Sequence, residues 1–79
     1  MKGKPHFIRA EWDEEAMVWV ATSDDVPGLV TEAETIEGLI AKLKVMIPEL
    51  LTANNIAFEG EVPFEIITRR FEVAHRAQH

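Results

Sequence analysis

The residues in this sequence best suited to chemistry are acids. Asp24 and Asp25 stand side by side ahead of Pro27-Gly28, and Asp13, Glu14 and Glu15 form a second acidic run upstream. Clustered carboxylates suggest a divalent metal, but a hard cation needs several oxygens converging on one point. These runs fall in separate connections, and successive side chains of a strand point to opposite faces. They read as solvated acidic loops. His75 and His79 have the i, i+4 spacing of a zinc pair on a helix, with no third ligand in view and a place in the C-terminal tail. His6 reads as a strand-edge polar residue. No Ser, His and Asp set suggests a triad, no Gly-rich phosphate loop occurs, and there is no cysteine for thiolate chemistry or a disulfide. Thr68–Arg70 is the basic cluster of the last strand. Beside Glu65 and Glu72 it reads as cross-strand ion pairing rather than a phosphate contact. The expectation is a non-enzymatic protein with no catalytic residues, no metal and no cofactor. A metal-dependent nuclease, with acids from different strands brought together by the fold, is the enzymatic alternative.

Composition narrows the partners. At 79 residues the chain is one domain, 1–79, with 1–5 and 74–79 expected to fray at its ends. A net charge of −6 and a pI near 4.9 disfavour direct nucleic-acid binding, which needs a basic surface, and suit a basic protein partner. With 47% hydrophobic and 28% charged residues the chain is a folded globule, not a disordered tail. A domain this small buries only ~60% of its unfolded surface, and small scaffolds without a metal or disulfide often oligomerise, so a homo-oligomer is expected. No apolar signal core follows Met1 and no apolar run could span a bilayer, which makes a cytoplasmic protein without membrane contact the expectation.

The elements that must position these residues follow from periodicity. "HFIRAEWD", His6 to Asp13, alternates, with Ile8, Ala10 and Trp12 on one face. "AMVWVATS", Ala16 to Ser23, is rich in residues that suit a pleated surface. The connection, Asp13 to Ala16, has no Gly or Asn, so a four-residue loop around a type I turn fits better than a tight turn with positive φ. An even loop sets Trp12 opposite Met17, Ala10 opposite Trp19 and Ile8 opposite Ala21 as the core face. Core packing is then the better reading of Trp12 and Trp19 than stacking on a base. The other face carries Phe7, Arg9, Glu11, Val18, Val20 and Thr22, more apolar than bare solvent exposure requires. Pro27-Gly28 predicts a type II turn, and "LVTEA", Leu29 to Ala33, a third strand. Thr35 is an N-cap, with Glu34 and Glu37 near the positive end of the helix dipole. Ile36, Leu39, Ile40, Leu43, Ile47, Leu50 and Leu51 form one helical stripe. It stays in phase past Pro48, which predicts a kinked helix, with a break at Pro48 as the alternative. Asn54-Asn55 is the stop signal. "VPFEIITRRFEV" reads as a fourth strand, with Pro63 at its start.

The order is thus β-β-β-α-β, an α+β fold. Two hairpins and a right-handed crossover give a four-stranded mixed sheet of spatial order 3-2-1-4. One helix covers one face. Phe7, Val18 and Val20 lie on the face left open, which asks for an oligomer or partner.

"VWVATSDDVPGLVTEAETIEGLIAKL" resembles the N-terminal domain of HicB-like antitoxins. Asp25-Val26-Pro27-Gly28 matches the acidic turn of that family, of the form P-D-L-P-G, and Ala33 to Leu39 matches its helix entry, G-D-T-x-E-E-A. Ser23-Asp24 before the turn and Gly38, where the family has an acid, depart from the pattern. Over nearly the whole chain, "IRAEWDEEAMVWVATSDDVPGLVTEAET" and "VMIPELL" resemble the family catalogued as domain of unknown function 1902, which is grouped as HicB-like. The resemblance implies the same β-β-β-α-β order, as a degraded relative of ribonuclease H. It also implies an antitoxin that neutralises HicA, a small basic RNA-cleaving toxin. Most HicB proteins add a C-terminal DNA-binding domain. This sequence ends after the fourth strand, so operator binding is not expected. Asp24, Asp25, Val26 and Pro27 are then the expected partner contacts, since the turn's geometry does not itself require the two acids.

Overall fold

The computed structural model describes residues 4–77. Its elements are β1 His6–Asp13, β2 Val18–Thr22, β3 Val30–Ala33, α1 Ile36–Ala53 and β4 Phe64–Arg69. The four-stranded sheet has the order β3-β2-β1-β4. β1 pairs antiparallel with β2 and parallel with β4, and β2 pairs antiparallel with β3. The α+β class, the element order and the mixed sheet are those the sequence predicts. Among the described residues no helix is long and apolar enough to cross a membrane.

The first hairpin keeps the predicted parity but slips in register. Trp12 faces Trp19 and Ala10 faces Ala21, so Met17 lies in the loop rather than opposite Trp12. Asp13 causes the slip. Its Oδ1 accepts from the backbone N–H of Glu15 at 3.0 Å and of Ala16 at 3.2 Å, and its carbonyl accepts from Met17 N–H at 2.7 Å. The loop closes with Met17 at φ 59°, a left-handed conformation that the absence of Gly or Asn had argued against. Trp12 and Trp19 meet edge to face at 5.3 Å, only partly buried, and the Trp12 indole N–H donates to Glu14 Oε1 at 3.0 Å.

The core lies where α1 crosses the sheet. Leu39, Leu43, Ile47 and Leu51 are spaced i, i+4 and are all buried against Ile8, Ala10, Ala21, Val26 and Leu29. Thr35 caps the helix by accepting from Gly38 N–H at 3.0 Å. A Cβ at Gly38 would stand 3.1 Å from that hydroxyl, so the glycine makes room for the cap. α1 runs through Pro48 as one element, so the helix continues past the proline as predicted and the alternative of a break there does not hold. Pro48 withholds a donor from the carbonyl of Lys44, an exposed residue. Ile47 and Leu51, on either side of the proline, stay packed in the core.

The helix ends in a Schellman motif. Ile56 N–H donates to Leu51 O at 2.9 Å and Asn55 N–H to Thr52 O at 3.1 Å, with Asn55 at φ 59°. Asn54 Nδ2 also donates to Leu50 O at 2.8 Å and to Pro27 O at 3.4 Å, which ties the helix end to the Pro-Gly turn. In that turn Leu29 N–H donates to Val26 O at 3.2 Å and Gly28 has φ +80°, the geometry of a type II turn. The last strand is shorter than predicted. It stops at Arg69, because β1 ends at Asp13 and offers little further length to pair with.

Candidate binding surface

Strand register builds the face away from α1. Arg9 pairs with Thr22 on one side and Ile67 on the other, and Val30 lies beyond Thr22. The next row holds Glu32, Val20, Glu11 and Arg69, and Phe7 sits beside Glu65. Phe7 is 50% exposed, Ile67 55% and Val30 67%, whereas Val18 and Val20 are half-buried by their neighbours. Phe7, Val18 and Val20 therefore share one uncovered face, as their alternation predicts. Val30, Ile67 and Arg69 join it and were missed. For Ile67 and Arg69 the signal lies in the parallel crossover, which sets odd-numbered residues of β4 beside odd-numbered residues of β1, and for Val30 in the register of β3 on β2.

The acidic turn is bolted to one corner of this face. Ser23 Oγ donates to Phe7 O at 2.7 Å and accepts from the N–H groups of Asp25, at 2.9 Å, and Val26, at 3.2 Å. Phe7 N–H donates to Asp25 Oδ2 at 2.8 Å. The Arg9 guanidinium grips Asp24 with two bonds, Nη1 to Oδ2 at 3.1 Å and Nη2 to Oδ1 at 3.2 Å. Both acids thus have intramolecular partners, and the turn's structure uses them more than its sequence suggests. Val26 is fully buried in the core, so its side chain drops out of the expected contact set. Asp24, Asp25 and Pro27 remain exposed around it.

The hydrogen bonds from Arg9, and then its charge, hold the Asp24 carboxyl below the usual aspartate range; the same bonds raise Arg9 from its already high value. A depressed carboxylate stabilises the fold above its unfolded pKa, and that contribution is lost as pH falls through the folded value. The pair is exposed, so its contribution to stability is small. Arg9→Gln is expected to return Asp24 upward to the ordinary range, read from the pH dependence of the Asp24 carboxyl carbon shift. An unmoved titration would mean that Arg9 does not hold Asp24 in solution.

Other candidates are dispersed. Asp13 to Glu15 and Asp24-Asp25 lie at opposite ends of β1, roughly 20 Å apart along the strand. Among the described residues no three His, Asp or Glu gather as a metal site. Arg70 of the basic cluster donates to Glu72 Oε2 at 2.5 Å and lies over the Trp12 ring at 4.4 Å. The pairing is along the chain rather than across strands. Of the His75–His79 spacing, which carried no metal expectation, His79 lies outside the described residues.

What fold and surface together define is a small α+β sheet protein with one helix-covered face and one open, acid-rimmed face. The family described as Domain of unknown function (DUF1902) matches residues 6–76, and the chain belongs to it. A solved structure of the hypothetical protein TTHA1013, from the extremely thermophilic bacterium Thermus thermophilus, is similar. It shares 50% identity over 91% of this chain and 99% of its own, with a TM-score of 0.70. No curated protein matches the chain.

Proposed function

We propose that this chain is a non-enzymatic protein-binding module of the antitoxin type, whose open sheet face receives a small basic protein. The observation that carries this is the face itself. Phe7, Val20, Ile67 and Val30 offer apolar contact, and Glu11, Glu32, Glu65 and the Asp24-Asp25 turn offer negative charge around them. An apolar centre with a charged rim suits a specific interface, and a net charge of −6 speeds encounter with a cation. The Arg9–Asp24 pair is exposed and therefore cheap to open, so a partner's lysine or arginine can take Arg9's place on Asp24. Asp25 holds the turn in position through the Phe7 amide. The HicB-like resemblance of the turn and helix entry supplies the kind of partner, a HicA-type RNA-cleaving toxin.

The test uses the protein encoded beside this gene. A small basic neighbour is expected to arrest growth when expressed alone, to be neutralised by co-expression with this chain, and to run with it as one species in gel filtration. Affinity should fall steeply with added salt. A neighbour that is not small and basic, or that elutes apart from this chain, would overturn the reading.

A further inference from the structure

β4 is an edge strand, paired to β1 on one side only. Residues 70–77 continue past it without secondary structure and without a buried residue, and they carry Phe71 at 84% exposure and Val73 at 59%. The molecule measures 60 Å along its longest axis. The 18-residue helix spans only about 27 Å of that, and an extended arm of this length reaches about 26 Å further. The radius of gyration, 15.6 Å, likewise exceeds the roughly 12 Å of a compact domain this size. The arm's root is held in place, with Arg70 over the Trp12 ring and bonded to Glu72. An extended arm that holds a phenylalanine and a valine in water gains nothing within one chain. The other edge, β3, has four residues, and its Glu32 carbonyl accepts from Lys42 Nζ.

We propose that β4 and its arm pair antiparallel with the same strand of a second copy, joining two sheets edge to edge. A two-fold axis demands a self-complementary strand, and this one has a register that supplies it. With Arg70 on the axis, Ile67 faces Val73 of the second copy, Ile66 faces Ala74 and Glu65 faces His75. Each pair lies on one face of the joined sheet, because its two positions share parity. The two arginines at the axis are each diagonal to a Glu72 of the opposite copy, which offsets their repulsion. The pairing uses the strand edge, so the open face stays available, and the inference is independent of the binding function proposed above.

Light scattering on the full chain, over a dilution series, is expected to give about twice the 8.9 kDa mass of one chain. Phe71→Asp and Val73→Asp alter side chains that are already exposed and are expected to reduce the mass to one chain with unchanged circular dichroism. The described residues contain no cysteine, nor does the rest of the sequence. Arg70→Cys should therefore cross-link to its own copy under mild oxidation, since residues facing across an antiparallel pair lie within disulfide reach. Val45→Cys, on the exposed side of α1, should not. A single-chain mass at every concentration, a two-chain mass that survives both aspartate variants, or cross-linking at position 45 and not at position 70 would overturn the proposal.

Discussion

Leu43→Ala is expected to lower the unfolding free energy by about 2–5 kcal/mol. Leu43 is 0% exposed, at the middle of the Leu39, Leu43, Ile47, Leu51 row that forms the single helical layer over the sheet. The facing strand residues include two alanines, Ala10 and Ala21, and the helix supplies four of the six largest fully buried side chains. A chain of this size holds only about 4–12 kcal/mol in total, so the variant loses a large part of its margin. Val45, 59% exposed on the opposite side of the same helix, provides the comparison. Val45→Ala should stay within about 0.5 kcal/mol of the wild type. Urea unfolding followed by circular dichroism measures both. Equal shifts would mean that the core is not where α1 meets the sheet.

Gly28→Ala is expected to cost about 1–2 kcal/mol, the steric penalty of a side chain in left-handed backbone. Gly28 has φ +80°, and a Cβ there would meet Leu50 Cδ2 at 3.7 Å, an ordinary contact. The cost is thus one of backbone conformation and not of crowding. Gly28→Asn should cost less, because Asn tolerates positive φ better than Ala. An alanine variant as stable as the wild type would show that the turn is not of type II in solution. The turn has consequences beyond its own residues. It places Val26 and Leu29 in the core on either side of Pro27-Gly28, and Pro27 O accepts from Asn54 at the far end of α1. Relaxing it would also loosen the corner that presents Asp24 and Asp25.

Much of this architecture is legible in the sequence because local signals agree with the global fold. The alternation of His6–Asp13, the Pro27-Gly28 turn, the Thr35 cap and the Asn54-Asn55 stop each encode their own geometry within a few residues. The strand order follows from connection length and handedness. Where the reading slipped, the cause was a side chain acting on backbone. Asp13 closes the first hairpin through two amides, and this draws Met17 into a left-handed position that residue type alone disfavours.

The surface was only half legible, for a different reason. Phe7, Val18 and Val20 could be assigned to the open face because they lie on one hairpin. Val30 and Ile67 needed the register of β3 and of the distant crossover strand β4. The two acids illustrate the limit most clearly. Nothing local says that Asp24 meets Arg9 or that Asp25 meets the Phe7 amide, since both contacts cross the β1–β2 pair at its open end. The Thr68–Arg70 cluster behaves likewise. Arg70 reaches Trp12 only because the parallel pairing continues β4's line along β1.

The uncovered face is the centre of the functional account, and the affinity of site variants for the basic neighbour tests it most directly. The dissociation constant of the adjacent gene product should be measured by calorimetry for the wild type, Phe7→Ala and Val45→Ala. Phe7→Ala removes an exposed aromatic from the open face and is expected to weaken binding about tenfold or more, as loss of a buried aromatic anchor does. Val45→Ala, on the helix side, is expected to leave the constant within about twofold. Weakened binding in Val45→Ala with Phe7→Ala unchanged would place the partner on the helix and contradict the account.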